Sequence, residues 1–580
     1  MSDSPFIPDI VGIDLGTTNS LVACWQEGAP RLIPNALGAT LTPSVVSVDD
    51  DGSYLVGAAA KDRLQSHPEH TVASFKRGMG TASTFRLGGR SFRAEELSAL
   101  VLKSLRADVR AAFGRDVDRA VITVPAYFSD AQRSATRNAG LIAGFTEVSL
   151  LNEPTAAALA YGLNERDDSQ FLVFDFGGGT FDVSILELFA GVMEVRATAG
   201  DNQLGGDDVD ACLERWVMES ARLPASLQRD ERFLSKLRAR CEAAKRALSA
   251  GGSTVIAFQH EGHAVDLRLS VEQLEQIIQP VLERLRHPVE TAIRDARIGV
   301  KDLSAVVLAG GSSRLMPVRQ LVTRLFGQFP SASLNPDEVV ALGAAVQAGL
   351  KVNAAELSER VMTDVCPYTL GIESSQQLSA DRLSHGFMAP ILPRNTVIPA
   401  SRVQSFSPLH PEQRLIHVRV YQGEARMVRD NIALGDFKVE LPRPVAGRSP
   451  HIDVRFTYDV DGLLEVEATP KLGEDACGEP QRLVIQNSEE RLSPEQVRER
   501  LLALAELKMH PRERMEVRAL LARAERLFTQ LSLDERDRLG HAITRFELEL
   551  ESQDHSRIDA ASEHLRRVIR DCEADSPLGI

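Results

Sequence analysis

From about Ile10 to Lys351 the chain alternates short apolar runs with longer segments whose apolar residues recur every three or four positions. Short apolar runs predict buried strands, and the longer period predicts amphipathic helices. Arg119 to Val124 reads as a strand, and Glu95 to Phe113 as a helix with Leu97, Leu100, Val101, Leu105 and Val109 on one face. Ser129 to Ile142 predicts a polar helix, and Glu153 to Tyr161 opens another. Strands alternating with helices in this way predict an α/β domain.

Near Glu356 the alternation breaks. Glu356 to Val365 is a short mixed segment and reads as a linker. Beyond it the period falls to two: Arg414 to Tyr421 alternates apolar with largely polar positions. His451 to Thr469 predicts a hairpin with Asp461-Gly462 as a two-residue turn. Several such strands predict a β-sandwich. At Ser493-Pro494-Glu495-Gln496 the pattern changes again, to an N-cap, a Pro at the first helical position and a Gln placed for a capping box. Charged helices are expected from there to about Glu573. Leu501, Leu504, Ala505 and Met509 form one stripe, and Leu520, Leu521, Ala524, Leu527 and Leu531 a second. Such stripes are most often core seams.

Candidate chemistry lies in the turns. Phe171 to Glu187 reads as a strand ending at Asp175, a turn of Gly177, Gly178 and Gly179, and a returning strand that begins near Thr180 and Asp182. Successive N–H groups in such a turn form a concavity for an anion. A carboxylate at its rim suits Mg²⁺, which keeps several waters and takes few protein ligands. Ile10 to Ala23 repeats the order, with Asp14, then Gly16, Thr17, Thr18 and Asn19 in the turn. Two such hairpins imply two similar lobes facing each other across a nucleotide. Val306 to Arg314 adds a strand that runs into Gly310-Gly311 and then a helix, without the Gly-Lys-Ser/Thr ending of a P-loop. Any one of these turns could serve only as a turn; three in this order supply different parts of one ATP site.

The totals narrow the classes further. A chain of 580 residues is too long for one core. A formal net charge of −15 argues against nucleic acid or an anionic membrane as the main partner. No apolar run is long enough to span a bilayer, and the first residues lack the pattern of a secretory signal. The six cysteines are scattered with no Cys-x-x-Cys pair, so reduced thiols and a cytoplasmic location are expected and zinc is not.

The hairpins resemble the nucleotide-binding lobes of the actin, hexokinase and heat-shock chaperone superfamily. Val121 to Phe128, Asn152 to Gly162 and Asn335 to Gln347 resemble the DnaK-type, seventy-kilodalton heat-shock chaperones more closely, and the short inserts most resemble the HscC subgroup. The resemblance covers nearly the whole chain, less specifically after about Leu492. It implies an actin-like two-lobed ATPase domain over 8–353, a linker over 354–365, a β-sandwich peptide-binding domain over 366–490 and a short α-helical lid over 491–575.

The resemblance also implies roles at the ATP site. Gly16, Thr17, Thr18 and Asn19 would cradle phosphate from one lobe, and Gly177, Gly178, Gly179 and Thr180 from the other. Asp14 and Asp175 would hold Mg²⁺ through its waters, with K⁺ a candidate further cation. Lys76 would stand near the γ-phosphate and the attacking water, and Glu153 and Asp182 would orient that water and the metal shell. Spacing alone would read Lys76 as a surface cation. Glu242, Lys245 and Ser249, with Arg246 beside them, would serve the ribose and adenine; spacing alone would read Glu242 and Lys245 as a surface salt bridge. Arg314 would lay its guanidinium on the base, and Gly206, Gly310, Gly311, Ser312 and Asp337 complete the implied nucleotide contacts.

In the family a sandwich grips extended apolar peptide under the lid; ATP loosens the grip and hydrolysis tightens it. Asp364 matches the linker aspartate, and Pro125 and Arg133 the coupling residues behind it. Leu370, Ile372, Phe387, Phe406, Ile416 and Val418 match the client cleft, although ordinary core is the bland alternative for each. Ile416 stands where the DnaK type carries Val, so a shallower pocket is expected. Other departures are Ser375 and Pro408 at the arch over the peptide, an insertion at about Gln376 to His385, and Val361-Met362-Thr363 in place of a leucine run. Ser149 replaces an arginine used with J-domain co-chaperones, and the acidic loop used for the same contact is reduced to Glu187 to Val192. These changes imply a dedicated J-domain partner. Short segments at Thr81 to Arg90 and after Gly251-Gly252 argue against the DnaK-type contacts for a GrpE-type exchange factor. The expected function is an ATP-dependent chaperone with weak ATPase activity acting on unfolded clients. The rivals on the same ATPase fold are a small-molecule kinase and a filament-forming actin relative, neither of which needs the sandwich.

Overall fold

The structure is a computed structural model. It describes residues 8–49, 51–162, 169–189, 192–331, 334–352, 361–379, 382–410, 412–445, 448–459, 463–473, 475–485, 515–528, 531, 533–553 and 555–574. Two compact units emerge from its contacts, one running to Tyr368 and the other beginning at Thr369.

The first unit holds two sheets built to one plan. In the first lobe, β1 (Val11–Asp14), β2 (Asn19–Gln26) and β3 (Ala29–Leu32) form an antiparallel meander. After helix α1 (Ala94–Phe113), strand β4 (Arg119–Val124) joins β1 in parallel. Helix α2 (Asp130–Ile142) then leads to β5 (Glu147–Asn152), parallel to β4, and β5 runs directly into α3 (Glu153–Gly162). The start of α2 is capped by Gln132, whose Oε1 accepts the Ser129 N–H at 2.9 Å.

The second lobe repeats the meander with β6 (Ser169–Phe176), β7 (Phe181–Phe189) and β8 (Val192–Asp201). Helices α4 (Gly206–Ser220) and α5 (Glu231–Leu248) follow. Strand β9 (Ala305–Ala309) joins β6 in parallel, in register Val173↔Val307. The apolar faces of this sheet and its helices bury Phe174, Phe176, Phe181 and Phe233. Helix α6 (Val339–Lys351) packs against α3 and the first sheet. Both helices carry small residues: Ala156, Ala157, Ala344 and Ala345 are wholly buried.

The last five residues of the expected linker are not irregular. Val361–Val365 is strand β10, laid parallel to β8 in register Met193↔Met362 and Glu194↔Thr363. The edge of β8 offers unpaired main-chain groups, and β10 takes them up. This pairing needs no leucine run. Linker residues before 361 lie outside the described residues.

The second unit contains two antiparallel sheets. One orders β11 (Leu370–Ser379), β12 (Arg382–Leu392), β14 (Leu415–Gln422) and β15 (Ile432–Glu440) as β12-β11-β14-β15. The other contains β13 (Ala400–Phe406), β16 (Pro450–Tyr458), β17 (Leu464–Leu472) and β18 (Gln481–Ile485). The expected hairpin is present, and its two-residue turn at Asp461-Gly462 lies outside the described residues. Tyr458 pairs with Leu464, and Asp459 N–H bonds the Leu463 carbonyl at 3.0 Å. Helices α7 (Met515–Phe528), α8 (Leu533–Ser552) and α9 (His555–Ala574) share a core of Leu520, Ala524, Phe546 and Leu565. Leu521, Leu527 and Leu531 pack against it, so the second predicted stripe is a core seam. The stripe from Leu501 to Met509 and the cap at Ser493 lie outside the described residues.

Candidate nucleotide site and the linker beside it

The Asp at the end of β1 and the Asp near the end of β6 face one cleft because each hairpin turns at the same edge of its sheet. The two turns meet. A Cβ on Gly178 would lie 2.0 Å from Thr18 Oγ1, so only glycine lets the facing loop come this close. Gly205, just before α4, stands as near to the same turn: its Cβ would lie 2.4 Å from the Gly178 carbonyl oxygen and the Gly179 nitrogen.

The resulting cavity, about 390 Å³, is lined by Asp14, Gly16, Thr17, Thr18 and Asn19 from one lobe and by Asp175, Gly177, Gly178 and Thr180 from the other. Lys76 and Glu153 line it between them. Its far end is lined by Glu242, Lys245, Arg246 and Ser249 of α5 and its C-terminus, and by Gly310, Gly311, Ser312, Arg314 and Asp337. Three expected nucleotide residues stand just behind this lining. Gly179 lies against Thr17 and Arg77, Gly206 N–H bonds the Gly177 carbonyl at 2.9 Å, and Asp182 accepts the Tyr127 N–H at 3.1 Å.

Lys76 is not a surface cation. It is 3% exposed, and its Nζ donates to Glu153 Oε1 at 2.7 Å. Around this pair the carboxyls crowd. Burial, then the charge of Glu153, pushes Asp14 up to about 7 and Asp182 up to about 8. Asp175 is raised well above the ordinary range for the same two reasons, with Asp182 and Asp14 adding to it. Buried carboxylates that repel one another form the donor set that a hard divalent cation relieves. The residues fit Mg²⁺ held with a phosphate chain.

At the other end the simple salt-bridge reading of Glu242 and Lys245 also fails. Glu242 takes Lys61 Nζ at 2.9 Å and Arg246 at 2.9 Å, whereas Lys245 Nζ bonds Asp210 Oδ2 at 2.6 Å and the Gly206 carbonyl at 3.0 Å. Arg314 is fixed by Asp337 Oδ2 at 2.7 Å and by Asn335. Sequence reasoning missed Asp210, Lys61 and Arg77. Asp210 sits one helical turn past Gly206, a spacing that could have flagged it. Lys61–Glu242 and Arg77–Asp208, the latter at 2.5 Å, join the two walls of the cleft, and nothing local in the sequence announces them.

Behind the cleft, Asp364 of β10 accepts Asn152 Nδ2 at 2.7 Å. Asn152 Oδ1 in turn accepts Arg133 at 2.6 Å, and Arg133 donates to the carbonyls of Ala126 and Phe128. These carbonyls follow the buried Pro125, so the three expected coupling residues form one connected patch. Burial raises the Asp364 carboxyl.

In the second unit, Leu370, Ile372, Phe387, Ile416 and Val418 all belong to one sheet, whereas Phe406 lies on β13 of the other. Leu370, Ile372, Phe387 and Val418 are buried, as core residues are; Ile416 and Phe406 are half-buried.

Comparison with known proteins matches the model of the Hsp70 protein family over residues 10–85 and 82–576. Chaperone protein DnaK 1 of Synechococcus sp. is 38% identical, over 98% of this chain and 80% of its own length. Chaperone protein DnaK of Thermotoga neapolitana is 42% identical, over 79% of this chain and 78% of its own. The same arrangement of paired glycine hairpins, buried carboxylates and β-rich second unit is thereby accounted for: the chain belongs to the Hsp70 family of ATP-hydrolysing molecular chaperones.

Proposed function

We propose that this chain is a specialised, HscC-like chaperone whose cleft hydrolyses ATP with Lys76 and Glu153 at the reacting end. The observation that carries the reading is the buried Lys76–Glu153 pair standing over Asp14 and Asp175 in a cleft whose two glycine turns touch. The turns Gly16–Asn19 and Gly177–Thr180 bind the phosphates. Asp14 and Asp175 would hold Mg²⁺, which would supply charge neutralisation when bound. Lys76 stabilises charge on the transferred group, while Glu153 and Asp182 orient the attacking water. Glu242, Lys245 and Ser249 bind the ribose and adenine, and Arg314, already fixed by Asp337, presents its plane to the base. Mg²⁺-dependent release of phosphate from ATP, stimulated by a denatured client, is the expected assay result; hydrolysis indifferent to Mg²⁺ would overturn the assignment.

The chain is read as an ATPase over 8–353, a linker over 354–365, a sandwich over 366–490 and a lid over 491–575; the break between compact units after Tyr368 supports the separation of the ATPase from the sandwich. Clients bind as extended apolar chain, with half-buried Ile416 narrowing the central pocket. The co-chaperone is a dedicated J-domain protein. Ser149 is buried and uncharged, and the β7–β8 hairpin carries exposed Phe189 where an acidic surface would be needed. Strong ATPase stimulation by a general DnaJ would contradict that assignment. Exchange proceeds without the DnaK-type GrpE contacts.

A further inference from the structure

The residue after the linker strand and its Cys-Pro step has a contact that the functional reading leaves unused. The Tyr368 ring lies against Tyr127, with centroids 4.5 Å apart, and its hydroxyl donates to the Tyr127 carbonyl at 2.7 Å. On its other side Tyr127 donates its N–H to Asp182 Oδ1 at 3.1 Å. Asp182 is 1% exposed, so protein donors rather than bulk water set its orientation. We propose that the Tyr368 hydroxyl is a second latch, by which the docked linker holds the Asp182 carboxylate in its working orientation. The inference rests on the reading that Asp182 serves ATP hydrolysis and that the linker reports to it.

Two routes converge on the turn Pro125–Phe128. Asp364 acts through Asn152 and Arg133, which takes the carbonyls of Ala126 and Phe128. Tyr368 acts on the residue between them. The first route passes through three side chains, and the second is one hydroxyl from the residue that touches Asp182. The turn also reaches the other side of the site, where the Phe128 ring lies 5.5 Å from Lys76 Nζ. Cys366 Sγ bonds the Tyr368 carbonyl at 3.0 Å, which fixes the short segment bearing the ring. A side chain of similar size without a donor would fill the space against Tyr127 and leave its carbonyl unheld by the linker. Tyr368 does not line the nucleotide cleft, so it is a positioning residue.

The test uses the full chain. Tyr368→Phe keeps the ring and removes the donor; Tyr368→Leu removes both. Single-turnover hydrolysis and ATP affinity are measured for each, together with Asp364→Ala and the Tyr368→Phe/Asp364→Ala pair. One neutral hydrogen bond corresponds to about a 2- to 12-fold change in rate, and Tyr368→Phe should slow hydrolysis by that much. ATP affinity and thermal midpoint should stay at wild-type values. The double variant should be slowed by less than the product of the single effects, because both routes act on one turn. Wild-type hydrolysis in Tyr368→Phe, with slowing in Tyr368→Leu or in Asp364→Ala, would overturn the latch and leave the linker reading intact. Wild-type rates in all of the variants would overturn the linker reading together with it.

Discussion

Replacing Lys76 by Ala separates binding from chemistry. Its ammonium is buried 2.7 Å from Glu153 Oε1, so truncation leaves Glu153 uncompensated beside Asp14, Asp175 and Asp182. Breaking a buried pair this way costs about 3–5 kcal/mol. The low end applies here, because burial and the charge of Glu153 already raise the Asp14 carboxyl, and its easier protonation absorbs part of the repulsion. The catalytic loss is separate. Removing a preorganised group aimed at developing charge costs about 10²–10³ in rate, or about 3–4 kcal/mol of barrier. On the proposed reading the glycine turns and α5 also hold the nucleotide, so affinity should change little. Single-turnover cleavage of radiolabelled ATP, beside titration with a fluorescent analogue, reads the two quantities separately. The companion Lys76→Met/Glu153→Gln should recover thermal stability and remain inactive. Cleavage by Lys76→Ala at the wild-type rate would remove Lys76 from the mechanism.

Three further outcomes follow from particular distances and charges. Gly205→Ala places a Cβ 2.4 Å from the backbone of Gly178 and Gly179, so the phosphate turn must shift; ATP affinity should fall about tenfold or more by equilibrium titration, and an unchanged affinity would contradict the contact. Without nucleotide or divalent cation, Asp14 and Asp182 bind protons in the folded state that the unfolded chain has released above about pH 4. Stability should therefore fall as pH rises through the window up to about 8, and a flatter profile is expected with Mg²⁺ and ADP; a thermal midpoint rising from about pH 6 to about pH 8 would refute the crowding argument. Ile416→Val should shift peptide-array preference toward larger apolar side chains by about 1–3 kcal/mol of discrimination, and arrays identical to wild type would show that Ile416 does not line the pocket.

What could be read from the chain was local. An Asp before a glycine turn, repeated with the same order of elements, predicted both hairpins because turn chemistry is set within a few residues. The helix at Glu95 to Phe113 was legible for the same reason. Lys76 was not: its partner is 77 positions away, and only the fold brings β5 into α3 at that point. Lys245 likewise chose Asp210, 35 positions back, over the residue three before it. The linker strand depended on an open edge of β8, a property of the assembled sheet rather than of residues 361–365. The client residues were read as a set, and their burial still reflects the sandwich core that most of them also build.

The most direct measurement is the dissociation rate of a labelled, unfolded apolar peptide from the full chain, followed with and without ATP. The account predicts slow release without ATP, fast release on adding it, and little acceleration when Asp364 is replaced by Ala. Release at one rate under all three conditions would contradict the claim that the cleft and the sandwich act as one machine.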